Sequence, residues 1–158
     1  MNWLDLVIIA ILLAVVLVEV SRGFSRALFD FIALLTAVHL SPPLGSSLAG
    51  ALHFSPDVYA NAGIMHAVSF VIVGGLLVFG GNFIYSMLQF STDFFEPILG
   101  GILGVGIGII ICHALVSSVA VTGVHMMPVS IANSSFGSEF LTFDSYHRFM
   151  GFLYNFNK

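Results

Sequence analysis

VYANAGIMHAVSFVIVGGLLVFGGNFIYSMLQFST, residues Val58 to Thr92, contains no Asp, Glu, Lys or Arg. A helix needs about 20 mostly apolar residues to cross the hydrocarbon core of a bilayer, and this stretch supplies them with residues to spare. In lipid the backbone must satisfy its own hydrogen bonds, which a helix does. Pro97 to Ser138 is equally free of those four residue types. Across the 158 residues, 58% are hydrophobic and 8% charged, against about 25% charged in soluble domains. A soluble domain of this length cannot hide so much apolar surface. The solvent for much of this chain is therefore a bilayer.

Working outward, four spans emerge. Span 1 covers about 2–19 and is rich in Leu, Ile and Val on every face. Trp3 lies at its end, where aromatic belts form, and Ser21-Arg22-Gly23 breaks the run. The segment lacks the basic start and cleavage site of a signal peptide, so it reads as a retained span. Span 2 covers about 24–40 and carries Arg26 and Asp30, four residues apart and able to pair on one helix face. Pro42-Pro43 is expected to end it. Leu44 to Phe54 is then too short to cross, and reads as an interfacial or re-entrant helix or an ordered loop. Ser55-Pro56-Asp57 is a helix start, so span 3 covers about 57–89. Glu96-Pro97 opens span 4, about 98–124, which Met127-Pro128 closes. From about 138 to 156, Phe143, Tyr146, Phe149, Phe152 and Leu153 share one helical half, opposite Asp144, His147 and Arg148. That is an amphipathic interfacial helix, with packing under the bundle as the alternative. The expected fold is an all-α, four-transmembrane-helix bundle with this C-terminal helix, in a single domain over 1–158.

Composition excludes several functions. Four basic residues cannot make a nucleic-acid footprint. One cysteine excludes an intrachain disulfide. The histidines show no metal-ligand spacing, and no hydrolase elbow or zinc-protease motif occurs. Gly104-Val105-Gly106-Ile107-Gly108 has part of a nucleotide-loop pattern, but lies inside an apolar span with no preceding strand. No cofactor, metal or catalytic residue is expected.

Three groups could carry function. Asp5, Glu19, Arg22, Gly23, Arg26 and Asp30 gather the charges of the first two spans and the turn between them. Ionisable groups at membrane depth are costly unless paired, and Glu19–Arg22 and Arg26–Asp30 have helical pairing distances. They form either a clamped hairpin corner or a docking surface or ion path; Asp5 belongs at the opposite membrane surface from Arg22. Gly100, Gly104 and Gly108 recur every four residues, a small-xxx-small stripe that lets helices approach closely. Gly74 and Gly75 answer it on span 3, so span 4 is expected to pack on span 3 or on another subunit. His113 lies within span 4, as a hydrogen-bonded core imidazole or as a relay for protons. Arg22 and Arg26 argue for a cytoplasmic first turn, with both termini outside.

Asn2-Trp3-Leu4-Asp5, an apolar span, Arg22-Gly23-Phe24-Ser25-Arg26 and a second apolar span resemble the start of the colicin V production protein (CvpA) family. Leu99-Gly100 and the Gly104 and Gly108 steps extend the likeness. The chain departs from the family where Glu96-Pro97 replaces an Asp-Arg pair, and where Ile107 replaces an arginine before the last glycine. The resemblance implies a bacterial inner-membrane protein needed for toxin production and linked to envelope stress tolerance. The expected function is a non-enzymatic scaffold or accessory subunit, with a small oligomeric transporter or channel as the alternative. Its partners would be the lipid bilayer and further copies of itself or other membrane proteins.

Overall fold

The computed structural model describes residues 2–87, 95–122, 129–144 and 147. Among the described residues six helices follow in order: α1 Trp3–Arg22, α2 Phe24–Ala51, α3 Val58–Met87, α4 Glu96–Val121, α5 Val129–Ala132 and α6 Ser135–Thr142. The first four are long and apolar enough to cross a membrane, and no strand occurs among the described residues. The all-α, four-span architecture expected from the apolar runs is thus present. Helix α4 is the central element. It packs against α1, α2, α3 and α6, while α3 lies chiefly along α2.

Helices α1 and α2 meet at one residue. Gly23 closes α1 through its N–H to the Glu19 carbonyl (2.9 Å) and opens α2, with φ 83° and ψ 168°. That region of backbone space is essentially open to glycine alone, so the hairpin turns without a loop.

The largest departure from expectation is in α2, which does not stop at Pro42-Pro43 but continues to Ala51. Leu44 to Ala51 is therefore the end of a spanning helix and not a separate interfacial element. Proline removes a backbone donor and usually ends a helix, but in a bundle a neighbouring helix can hold the continuation. Here α3 does so. Gly45 brings α2 so close that an added Cβ would sit 2.9 Å from the His66 Cα. Asn61 of α3 donates to the carbonyls of Ala49 (3.1 Å) and Leu52 (2.8 Å), capping the end of α2. Ser46 and Ser47 return their hydroxyls to the carbonyls of Pro42 and Pro43.

Of the expected 138–156 helix, the structure gives a short element. Helix α6 begins at Ser135 and ends at Thr142, because Phe143 turns left-handed (φ 51°) while its N–H still caps the Glu139 carbonyl. Phe140 is buried with Leu4, Ile8, Cys112, Val116 and Ile131 in the core where α6 meets α1 and α4. Residues 145, 146 and 148–158 lie outside the described residues. A second core joins Ala37, Phe70, Ile110 and Ala114 across α2, α3 and α4.

Candidate functional site

At the Gly23 end of the bundle the charges converge. Arg22 is the hub. Its Nη1 donates to Glu19 Oε1 (3.2 Å) and forms an ion pair with Asp30 Oδ2, and its Nη2 donates to Asn82 Oδ1 (2.8 Å). Asn82 Nδ2 donates in turn to Asp30 Oδ1 (3.1 Å). Asp30 is 2% exposed and Glu19 4%. A buried charge persists only when paired and hydrogen-bonded, and the network meets that demand for Asp30. It does not for Glu19, whose Oε2 is buried with no hydrogen-bond partner among the described residues.

This arrangement corrects the pairing read from spacing. Asp30 takes its arginine from the preceding helix, not from Arg26. Asp30 faces the bundle interior, whereas Arg26 is exposed and rests over the Tyr85 ring, 5.0 Å from its centroid. Tyr85 in turn meets Phe29 edge-on at 6.1 Å. Arg26 thus anchors the outer face of the α2–α3 pair through a cation–π contact.

The corner is sealed from the α4 side. Glu96 Oε1 accepts from Ser25 Oγ (2.7 Å) and Oε2 lies against the Ser25 N–H (3.4 Å), satisfying donors at the start of α2. A carboxylate is favourable at a helix N-terminus. It fills the place a side chain on Gly23 would occupy. The sequence marks Glu96 as the start of span 4 and as a departure from the family pattern but not as the seal of this corner, and Asn82, whose depth in an apolar span was the available signal, was not singled out.

The glycine stripe of α4 is a contact surface, but its partner is α1 and not α3. A Cβ on Gly100 would lie 2.6 Å from the Glu19 carbonyl oxygen, one on Gly104 3.0 Å from the Val16 Cα, and one on Gly108 2.7 Å from Leu12 Cδ2. The stripe brings α4 against the helix face that carries Glu19. On α3, a Cβ on Gly74 would lie 3.1 Å from Leu34 Cδ2 of α2, and one on Gly75 would meet nothing within 4 Å.

The remaining candidates lie at the other end. Asp5, 0% exposed, accepts from Asn2 N–H (2.8 Å), Ser134 Oγ (2.5 Å) and Phe136 N–H (3.1 Å). It completes the capping box of α1 and ties that helix to α6, far from Arg22. His113 Nδ1 lies 2.6 Å from the Phe140 carbonyl, and its ring is tilted over Phe143. A carbonyl only accepts, so Nδ1 carries the hydrogen, and His113 is held as a bonded imidazole between α4 and α6.

Between α1 and α3 a cleft of about 280 Å³ runs down from the charged network. Glu19, Arg22 and Asp30 line its one end, and Val15, Leu34, Val78, Ile107 and Ile111 line the rest. No group of three or more metal-ligating side chains gathers among the described residues.

The chain has no significant match among curated proteins or among solved structures. A family model described as "Colicin V production protein" matches residues 4–143. The match takes in the Gly23 corner, the charged network and the whole α1–α4 glycine contact, and this membrane-spanning chain therefore belongs to the colicin V production protein family.

Proposed function

We propose that this protein is a non-enzymatic scaffold or accessory subunit of the bacterial inner membrane, acting in toxin production or export and in envelope maintenance. One observation carries the reading. Glu19, Arg22, Arg26 and Asp30 of α1 and α2 cluster at the Gly23 end, and below them the space between the helices is walled by Val15, Leu34, Val78, Ile107 and Ile111. A hydrated solute crossing there would lose its water with nothing polar to replace it. Close backbone contacts along Gly100, Gly104 and Gly108 suit a rigid platform. Partners would be other membrane proteins or further copies of the chain.

A second reading, a small oligomeric transporter or channel, draws support from the unpartnered Glu19 Oε2 at membrane depth. Purified protein in liposomes, assayed for proton, Na⁺ and K⁺ flux, separates the two. The scaffold reading expects flux equal to that of empty liposomes; flux that Glu19→Gln abolishes establishes the transporter. The orientation proposed with it, Gly23 corner cytoplasmic and termini periplasmic, is tested by labelling single cysteines at Ser21 and Asp57 in a Cys112→Ser background. Ser21→Cys should react only from the inside and Asp57→Cys only from the outside; the reverse pattern inverts the topology.

A further inference from the structure

We infer that the cleft between α1 and α3 is a binding site for one phospholipid with an ethanolamine headgroup, drawn from the surrounding leaflet. The inference goes beyond the scaffold reading and stands whether or not a solute crosses the bundle.

The cleft has the polarity of an amphiphile. One end carries Glu19, Arg22 and Asp30, and the rest is lined by aliphatic side chains from all four long helices. Its floor is Leu34 of α2 with Ile107 and Ile111 of α4; its walls are α1 and Val78 of α3. Ala14 and Val18 on its rim are exposed, and on an apolar span exposure means lipid. An acyl chain can therefore enter sideways, with no passage through water. Its volume, about 280 Å³, lies at the lower end for ligand sites and suits one chain rather than two.

The charged end selects the headgroup. Two carboxylates face one guanidinium, and Glu19 Oε2 still lacks a donor among the described residues. A primary ammonium in the cleft supplies that donor when the Glu19 carboxylate, which lines this end, turns its covered Oε2 toward it, and it balances the excess acid. Arg22 complements it. Both Nη1 hydrogens go to Glu19 and Asp30 and one Nη2 hydrogen to Asn82, which, among the described residues, leaves the Nε hydrogen and the second Nη2 hydrogen for a phosphate oxygen. Acceptor and donors thus lie on adjacent residues, as a zwitterion of linked ammonium and phosphate requires. The level agrees. Helix α1 has 20 residues, which at 1.5 Å per residue is about the thickness of the hydrocarbon core. Glu19, one turn from its end, lies at the hydrocarbon edge, within reach of a headgroup. A trimethylated headgroup keeps the charge but cannot donate to Glu19, and a glycerol headgroup brings no cation.

The test is native mass spectrometry of the purified protein after exchange into mixed micelles of phosphatidylethanolamine, phosphatidylcholine or phosphatidylglycerol with matched chains. Phosphatidylethanolamine should be retained about tenfold or more over the other two, the factor given by about 1.4 kcal/mol. Glu19→Gln, which keeps the shape of the side chain, should erase that preference. Val78→Trp, which fills the cleft and leaves the charges in place, should remove the bound lipid altogether. Both variants should elute as the parent does on size exclusion. Equal retention of the three lipids overturns the proposal, as does unchanged retention in both variants. Equal thermal protection by soluble phosphoethanolamine would show that the headgroup alone binds, and overturns the lipid as ligand.

Discussion

Arg22 and Asp30, eight residues apart across the one-residue Gly23 corner, form an ion pair that joins the end of α1 to the interior face of α2. The pair is neither intrahelical nor isolated: Asn82 of α3 binds both partners, at 2.8 Å and 3.1 Å. Three helices thus converge on one guanidinium. Removal of Arg22 leaves Asp30 uncompensated at membrane depth, where an orphaned ion costs more than the pair contributes, whereas removal of Asp30 leaves Arg22 paired with Glu19.

Arg22→Ala is therefore expected to destabilise the protein strongly, by about 3–5 kcal/mol, since it strands both Asp30 and Glu19. Arg22→Ala with Asp30→Asn should recover part of that loss, because a neutral amide can still bond to Asn82. Arg26→Ala removes chiefly the contact with Tyr85, worth about 0.5–1 kcal/mol at an exposed site. Thermal unfolding in detergent, followed by light scattering, ranks the three. A double variant no better than Arg22→Ala would show that pairing is not what holds this corner.

Gly23→Ala tests the corner itself. Its φ of 83° with ψ of 168° is strained for any residue with a Cβ, by about 1–3 kcal/mol, and that Cβ would also meet the Glu96 carboxylate. Glu96→Ala in the same chain should relieve the collision and leave the backbone strain. The double variant is expected to fall between the parent and Gly23→Ala in melting temperature, lowered further by the lost cap on Ser25. Full recovery in the double variant would mean that the backbone conformation carries no strain.

Gly100→Ala and Gly75→Ala differ by one environment. A methyl on Gly100 would press on the Glu19 carbonyl oxygen at 2.6 Å, whereas one on Gly75 meets nothing within 4 Å. Overpacking of this kind costs about 1–3 kcal/mol. In a helix interior, Gly→Ala with room to spare is favourable by about 0.5–1 kcal/mol. Gly100→Ala should therefore lower the melting temperature and Gly75→Ala raise it or leave it unchanged. Equal shifts would contradict a contact between α1 and α4 along this stripe.

The four spans were legible because bilayer solvation writes itself into composition: long runs without ionic groups allow few other structures. The Gly23 corner and the Glu19–Arg22 pair were legible because both are local. What spacing could not reveal was which neighbour each group meets. Arg26 and Asp30 have the right separation to pair, but the rule for one helix is silent about a third residue from another helix, and Arg22 takes Asp30 first. Pro42-Pro43 has the composition of a helix end, and only the Asn61 cap and the Gly45–His66 approach show why the helix runs on. The glycine stripe announced a close contact without naming α1 as its partner. Colicin V production family membership was legible from the opening residues and the Arg22–Arg26 turn, while Glu96, which seals that turn, was not.

Asp5 makes the final case: it lies at the opposite end of α1 from Arg22, as its place in span 1 leads one to expect. Its carboxylate receives the Asn2 N–H, the Ser134 hydroxyl and the Phe136 N–H. A neutral apolar replacement leaves those donors without their acceptor, at about 1–3 kcal/mol for each that stays buried. Asp5→Ala is therefore expected to free α6 from α1 and α4, with loss of stability and faster proteolysis between Ser134 and Thr142. Asp5→Asn keeps one good acceptor and should fall between the parent and Asp5→Ala. Ser134→Ala removes a donor to Asp5 together with the cap that its hydroxyl gives to the Gly137 N–H at 2.7 Å, so it should loosen α6 and leave α1 intact. Limited proteolysis in detergent, with cleavage sites read by mass spectrometry, reports on α6 directly. Lipid retention in the distant α1–α3 cleft should stay at the parent level in all three variants, because Asp5 lies at the opposite end of α1 from Glu19. Loss of that retention in Asp5→Asn would mean that the two ends of α1 are coupled, and would end the reading of Asp5 as a local clamp.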